Sequence, residues 1–158
     1  MEIKEEPIQL KGSLRLVLNN IEGQEIERRE VSNIIVTAGR AWILKHIAGS
    51  AVFAGNVTAP LNYLAVGTST TAPATSDTTL NSETTRKVID AFTTTNITSN
   101  PPSYQLEASF ATNEANTTLG EVGLLNSSAT GTMLAHATFG TINKTTSNTL
   151  GISYTISG

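Results

Sequence analysis

His46 and His136 are the only histidines in this 158-residue chain, and it has no cysteine. Disulfides and thiolate metal ligands are therefore excluded. A metal site needs several imidazole or carboxylate ligands at coherent spacing, and neither histidine has such neighbours in sequence. His46 reads as a cation at a helix end, and His136 as a hydrogen-bonded residue of a strand. After Asp90 the only acidic residues are Glu107, Glu114 and Glu121. A glycosidase would need two carboxylates facing one cleft. Glu107 alternates outward on a strand pattern, and Glu114 falls in the polar turn 112–116. Glu121 opens an apolar strand, where a carboxylate needs a partner or an open edge. Arg86 and Lys87 are the candidate partners, and an ion pair between Glu121 and Arg86 across the sheet is the expected one. Gly123 would permit the close backbone approach beside it. No nucleophile elbow, phosphate-cradling glycine loop or dinucleotide fingerprint occurs. The expectation is a protein that is not an enzyme, with no catalytic residue, no cofactor and no metal. Trp42, Tyr63 and Tyr104 could stack on sugars, but with Tyr154 they sit in apolar patterns that core packing explains.

The elements that would position these residues are mostly strands. Leu14, Leu16 and Leu18 fall on one face at period 2, the mark of a half-buried strand. Residues 19–23 carry turn chemistry, because Asn and Gly tolerate positive φ. A second strand, Glu25 to Val31, closes a hairpin with Arg28 and Glu30 facing solvent. One helix is expected near residues 38–48. Ile43, Leu44 and Ile47 form its apolar stripe, Thr37 its N-cap, and Lys45 and His46 lie in its last turn. Residues 50–60 read as loop, Leu61 to Gly67 as a buried strand, and Thr68 to Thr79 as a polar low-complexity loop. Further strands begin at Arg86, Tyr104, Glu121, Thr132 and Thr149. On the last of these, Leu150, Ile152, Tyr154 and Ile156 share a face. Strands at about dozen-residue spacing with polar turns predict a mainly β chain. The expected fold is an antiparallel β-sandwich or jelly-roll-like domain over residues 10–158, with residues 1–9 as an N-terminal arm.

Hydrophobic residues make up 39% of the chain and charged residues 15%, both low for a globular protein. Low hydrophobicity leads to disorder when charge is high, and here charge is scarce. Thr-rich β structure fits better, since β-branched residues suit a pleated surface. The formal net charge of −3 lacks the basic footprint that nucleic acid requires. No run approaches the roughly 18 consecutive apolar residues of a membrane span, and residues 1–12 carry no apolar signal core. Neither nucleic acid nor membrane is therefore an expected partner, and synthesis in a cytoplasm is expected. Most charges precede residue 50. So uncharged a second half is either a Thr-coated free surface or one covered by neighbouring subunits.

The ordered segments also carry a resemblance. Gly12–Leu18 and a polar strand are followed by Asn33–Gly39 leading into the helix. Tyr63–Ala74, Asp77–Glu83 and Arg86-Lys87 come next. The chain then runs through Asn113–Asn116, Glu121–Leu125, Gly131–Ala135 and Ile142–Thr145 to a final strand. Over about residues 10–156 this order resembles small virion structural proteins of tailed bacteriophages and prophages, of the tail-fibre, tail-collar or capsid-decoration type. The resemblance implies a β-rich structural protein with no cofactor and no catalytic residues, located in the virion. Its expected action is oligomerisation, a trimer being one fitting closed form, and docking on other virion proteins such as major capsid or tail proteins. The short chain, without a fibre shaft, favours capsid-surface decoration (cement) over a tail, collar or fibre-base component. A glycan-binding module using Trp42, Tyr63 or Tyr104 is the alternative from another class.

Overall fold

The alternating leucines form a strand, β1 (Lys11–Asn20), joined by a tight turn to β2 (Glu25–Ser32). Gly23 takes φ +81° in that turn, and the Asn20 side chain accepts the Glu22 and Gln24 N–H groups. The computed structural model describes residues 9–48, 60–94 and 96–158. After β2 come β3 (Ile34–Ile35), α1 (Thr37–Ala48), β4 (Tyr63–Gly67), β5 (Glu83–Val88) and β6 (Ala91–Thr93). The chain closes with β7 (Ser103–Phe110), β8 (Thr118–Leu125), β9 (Met133–Asn143) and β10 (Asn148–Ser157). The expectations for residues 1–8 and for most of the 50–60 loop lie outside the described residues.

The protein is mainly β, as the alternation requires. Two antiparallel five-stranded sheets run in the orders β2-β1-β10-β7-β6 and β3-β9-β8-β4-β5, and together they make a β-sandwich. In the first sheet Leu16 stands opposite Ile152, and Ile152 opposite Ala108, so the period-2 faces of three strands align. They meet Leu64, Val66, Val122, Leu124, Ala137 and Phe139 of the second sheet in one buried core. Removing such side chains from water is the main stabilising term of the fold.

The second sheet is covered on its outer side as well. Val36, Ala65, Leu80, Leu125 and Met133 form a smaller buried cluster there, with Ile34, Ala38 and Tyr63 packed against it. Leu80 comes from the segment 68–82 between β4 and β5, which lies across the sheet. Double coverage explains why β8 is buried at every position after Thr118 and reads as a continuous run rather than an alternation.

The helix forms where expected, but two of its sequence assignments are corrected. Leu44 and Ile47 are 65% and 77% exposed, so the Ile43-Leu44-Ile47 stripe is not the packed face. Gly39 and Val36 are buried instead, and Trp42 and Ile43 pack against the core. The reason is close approach: a Cβ on Gly39 would stand 2.3 Å from the Leu134 carbonyl oxygen, so the helix rests on β9 through its backbone. The cap is also displaced. Arg40 N–H donates to the Val36 carbonyl, and Thr37 N–H is taken by the Thr75 carbonyl of the covering segment. Val36 therefore marks the boundary, and the segment 68–82 supplies a partner for the helix start. Lys45 and His46 do occupy the last turn, and His46 stacks on Trp42 at a ring-centroid distance of 3.7 Å.

Candidate functional site

Three chemistry-bearing side chains, Asp77, Glu121 and His136, come together where the segment 68–82 meets the second sheet. Glu121 on β8 and His136 on β9 both point to the outer side of the second sheet, and both are fully buried. They are diagonal neighbours, since Gly123 pairs with His136 and Glu121 with Thr138. His136 Nε2 lies 3.0 Å from Glu121 Oε2, and its Nδ1 lies 2.8 Å from Asp77 Oδ2. Asp77 belongs to the covering segment and keeps 19% side-chain exposure. One buried imidazole is thus bracketed by two carboxylates, one from the sheet and one from its cover.

Each carboxylate is also held by backbone. Glu121 accepts the Asn81 N–H at 3.0 Å and the Ser82 N–H at 2.6 Å, while Asp77 accepts the Ala74 N–H at 2.8 Å. Three polar contacts, from Asp77 to His136 and from the Asn81 and Ser82 amides to Glu121, therefore fasten the segment 68–82 to β8 and β9. Gly67 makes room for them: a Cβ there would fall 2.5 Å from Glu121 Oε1 and 2.4 Å from the Ser82 carbonyl. Buried polar groups persist where all members are satisfied, and this network meets that condition.

The arrangement fits a fastening better than a catalytic centre. A general base needs a free ring nitrogen within reach of the proton it removes, and both nitrogens of His136 face carboxylates. One metal ion cannot use both bonds either, because the carboxylates lie on opposite sides of the ring. Among the described residues no group of three or more His, Cys, Asp or Glu side chains is placed to hold a metal ion. No helix among them is long and apolar enough to cross a membrane.

The expected Glu121–Arg86 pair is corrected: the two residues take different partners. Arg86 Nε and Nη2 engage Glu83 at 2.9 and 2.7 Å, and its Nη1 donates to the Ser127 and Thr130 carbonyls at 2.8 Å each. Arg86 is a prop for the β8–β9 turn, and Glu121 has its acceptor sites filled by His136 and two amides. Lys87 binds Glu114 and the Ser109 carbonyl. The reading of His136 as a hydrogen-bonded strand residue agrees with the geometry, but its acidic partners were not visible at sequence spacing. Lys144, not singled out in the sequence, is buried and donates from Nζ to the Ala111 carbonyl and to Asn116 Oδ1. It ties the end of β9 to the β7–β8 loop. Trp42, Tyr63 and Tyr104 are half-buried on three different elements and pack against the two cores, so they form no shared stacking platform.

The Ala74 N–H, followed by the His136 ring, holds the Asp77 carboxyl below the ordinary carboxylate range. Glu114 is lowered too, first by the Ala111 N–H and then by Lys87. A carboxyl whose folded pKa is depressed contributes stability above its unfolded value, about 3.9–4.3, and loses it as pH falls through the folded value. Stability is therefore expected to decline on acidification below about pH 4. Asp77→Asn should flatten part of that decline, as read from urea midpoints along an acid series. An acid limb with the same slope in both proteins would contradict this assignment.

No family model, curated protein or solved structure matches this chain.

Proposed function

We propose that this chain is a non-enzymatic structural protein of a tailed-bacteriophage virion, most simply a capsid-surface decoration protein that oligomerises and docks on the particle. The observation that carries this reading is a group of exposed apolar side chains at the β5 and β6 edges of the sandwich. An open edge strand offers unpaired backbone groups to other chains, and proteins guard such edges with charge, brevity or a cover. The β2 edge carries Glu25, Glu27, Arg28, Arg29 and Glu30 around one exposed apolar residue, Ile26, with Arg28–Glu25 and Arg29–Glu27 ion pairs. At the opposite edges, Val88 ends β5, Phe92 lies in β6 and Ile97 follows in the next loop. All three are exposed, Phe92 by 55%. An exposed phenylalanine beside an open edge suits contact with another subunit.

The order of segments that resembles small phage virion proteins supports the same reading, as does a buried histidine with no free ring nitrogen. A tail, collar or fibre-base placement uses the same edge. A glycan-binding role is less favoured, because Trp42, Tyr63 and Tyr104 are half-buried on three different elements.

The test is co-sedimentation of the purified protein with particles that lack it, using separated heads and tails. Association with heads is expected, and Phe92→Glu should weaken it roughly tenfold or more, as for loss of a central aromatic contact. Association with tails alone would move the placement, and binding to neither would overturn the virion assignment.

A further inference from the structure

We propose that Lys144 and Asn116 join covalently, the lysine nitrogen displacing ammonia from the asparagine side chain to leave an internal amide cross-link. The inference starts from a buried cation with no counter-charge beside it. Lys144 is 1% exposed, and its Nζ donates to the Ala111 carbonyl at 2.7 Å and to Asn116 Oδ1 at 3.0 Å. Both acceptors are neutral, and no carboxylate among the described residues lies within ion-pair distance of Nζ. Glu114 binds Lys87 and the Ala111 N–H instead. Burial lowers the Lys144 pKa from its ordinary value, and the charge of Glu114 opposes the shift. A lysine enclosed in this way gains amine character and with it nucleophilicity.

The surroundings hold that nitrogen against a carbonyl. A C=O bond is about 1.23 Å long, so contact with Oδ1 keeps Nζ within about 4.2 Å of Asn116 Cγ. The amide is fixed at its other end, where Nδ2 donates to the Thr112 carbonyl at 2.8 Å. The backbone is fixed as well: the Lys144 N–H donates to the Thr117 carbonyl, and Thr118 pairs with Asn143 beside it. Ala115, just before Asn116, is held at φ +51°. That left-handed conformation is rare for alanine, and such strain clusters at functional positions. Reacting groups held this close behave as if at very high concentration.

In the step, the Nζ–Cγ bond forms and the Cγ–Nδ2 bond breaks. The leaving nitrogen takes up the two protons that the lysine ammonium gives up. An ammonium and a primary amide thus become a secondary amide and an ammonium ion, with no other reactant. Asn116 is exposed, so the product has a way out, and the buried charge leaves with it. The bond joins two corners at which the chain changes sheet. β7 and β10 belong to the first sheet, β8 and β9 to the second. Asn116 lies in the β7–β8 connection and Lys144 in the β9–β10 connection. The cross-link therefore closes the β8–β9 hairpin into a covalent ring at one end of the sandwich.

The experiment is the intact mass of the full purified chain after prolonged incubation in the folded state, followed by a tryptic digest. The wild type is expected to weigh about 17 Da less than its sequence, the mass of one ammonia. A branched fragment should hold Lys144 and Asn116 together, with no cleavage after Lys144. Asn116→Ala and Lys144→Arg should each show the full mass of their own sequence. Full mass in the wild type, with ordinary cleavage after Lys144, would overturn the cross-link. So would an ammonia loss that persists in Lys144→Arg, since an asparagine closing on its own backbone gives the same change in mass.

Discussion

Replacing His136 by alanine is expected to lower the free energy of unfolding by about 2–5 kcal/mol, from buried carboxylate oxygens left without a hydrogen-bond partner and from the void of a large-to-small change in the interior. The argument rests on what stays behind. Glu121 remains fully buried with the two amides of Asn81 and Ser82 but without its ring-nitrogen partner. Asp77 keeps only the Ala74 N–H, and a void opens beneath the segment 68–82. Domains of this kind are stable by about 5–15 kcal/mol in total, so the variant should sit close to its unfolding threshold. Equilibrium urea unfolding reads the effect directly. The double variant His136→Ala with Glu121→Gln should recover part of the loss, because the second change removes the stranded charge. A loss below about 1 kcal/mol in the single variant, a figure typical of an exposed ion pair, would mean that the cluster is not the fastening described here.

Gly39→Ala is expected to destabilise the protein, against the helix-propensity rule. Alanine is favoured over glycine in a helix interior by about 1 kcal/mol. Position 39, however, lies where α1 touches β9, and the added Cβ would stand 2.3 Å from the Leu134 carbonyl oxygen and 2.6 Å from its Cα. These are backbone atoms of a strand paired on both sides, so they cannot yield as a side-chain tip does. Overpacking of this kind costs typically 1–3 kcal/mol, which outweighs the propensity gain at the upper end and still leaves α1 displaced at the lower. Thermal unfolding should show a lowered midpoint, with increased amide exchange in α1. A raised midpoint would contradict the direct helix–strand contact.

Where a strand is covered on one face, its residues announced it. Leu14, Leu16 and Leu18, and the set from Leu150 to Ile156, alternate because one side of the first sheet meets the core and the other is more open. The second sheet was harder to read for the same physical reason inverted. β8 is buried on both faces, so period 2 disappears and Glu121 looks like an acidic oddity at a strand start. Its true partners come from two places that spacing does not connect: His136 on the next strand, offset by one diagonal step, and the Asn81 and Ser82 amides at the end of a stretch whose Thr-Ser-Pro composition reads only as loop. The buried leucine of that stretch, Leu80, was one sign that the segment packs. Gly67 and Gly123 were a second sign, since glycines in strands often mark a close approach. Arg86 was expected to pair with Glu121, and it engages other groups instead. Sequence could not show that Glu83, three positions away, and two turn carbonyls would claim its donors first. On the helix, the apolar stripe was assigned by side-chain type, whereas contact distance put the smallest residue, Gly39, against the sheet.

The central claim is that this sandwich works by associating with copies of itself and with a particle, and its molar mass in solution tests that most directly. Light scattering on the purified chain across a concentration series is expected to give a whole-number multiple of the chain mass. Phe92→Glu should shift that mass towards a single chain, because it places a charge on the exposed apolar edge. A wild-type protein that stays a single chain at every concentration would contradict self-assembly through that edge.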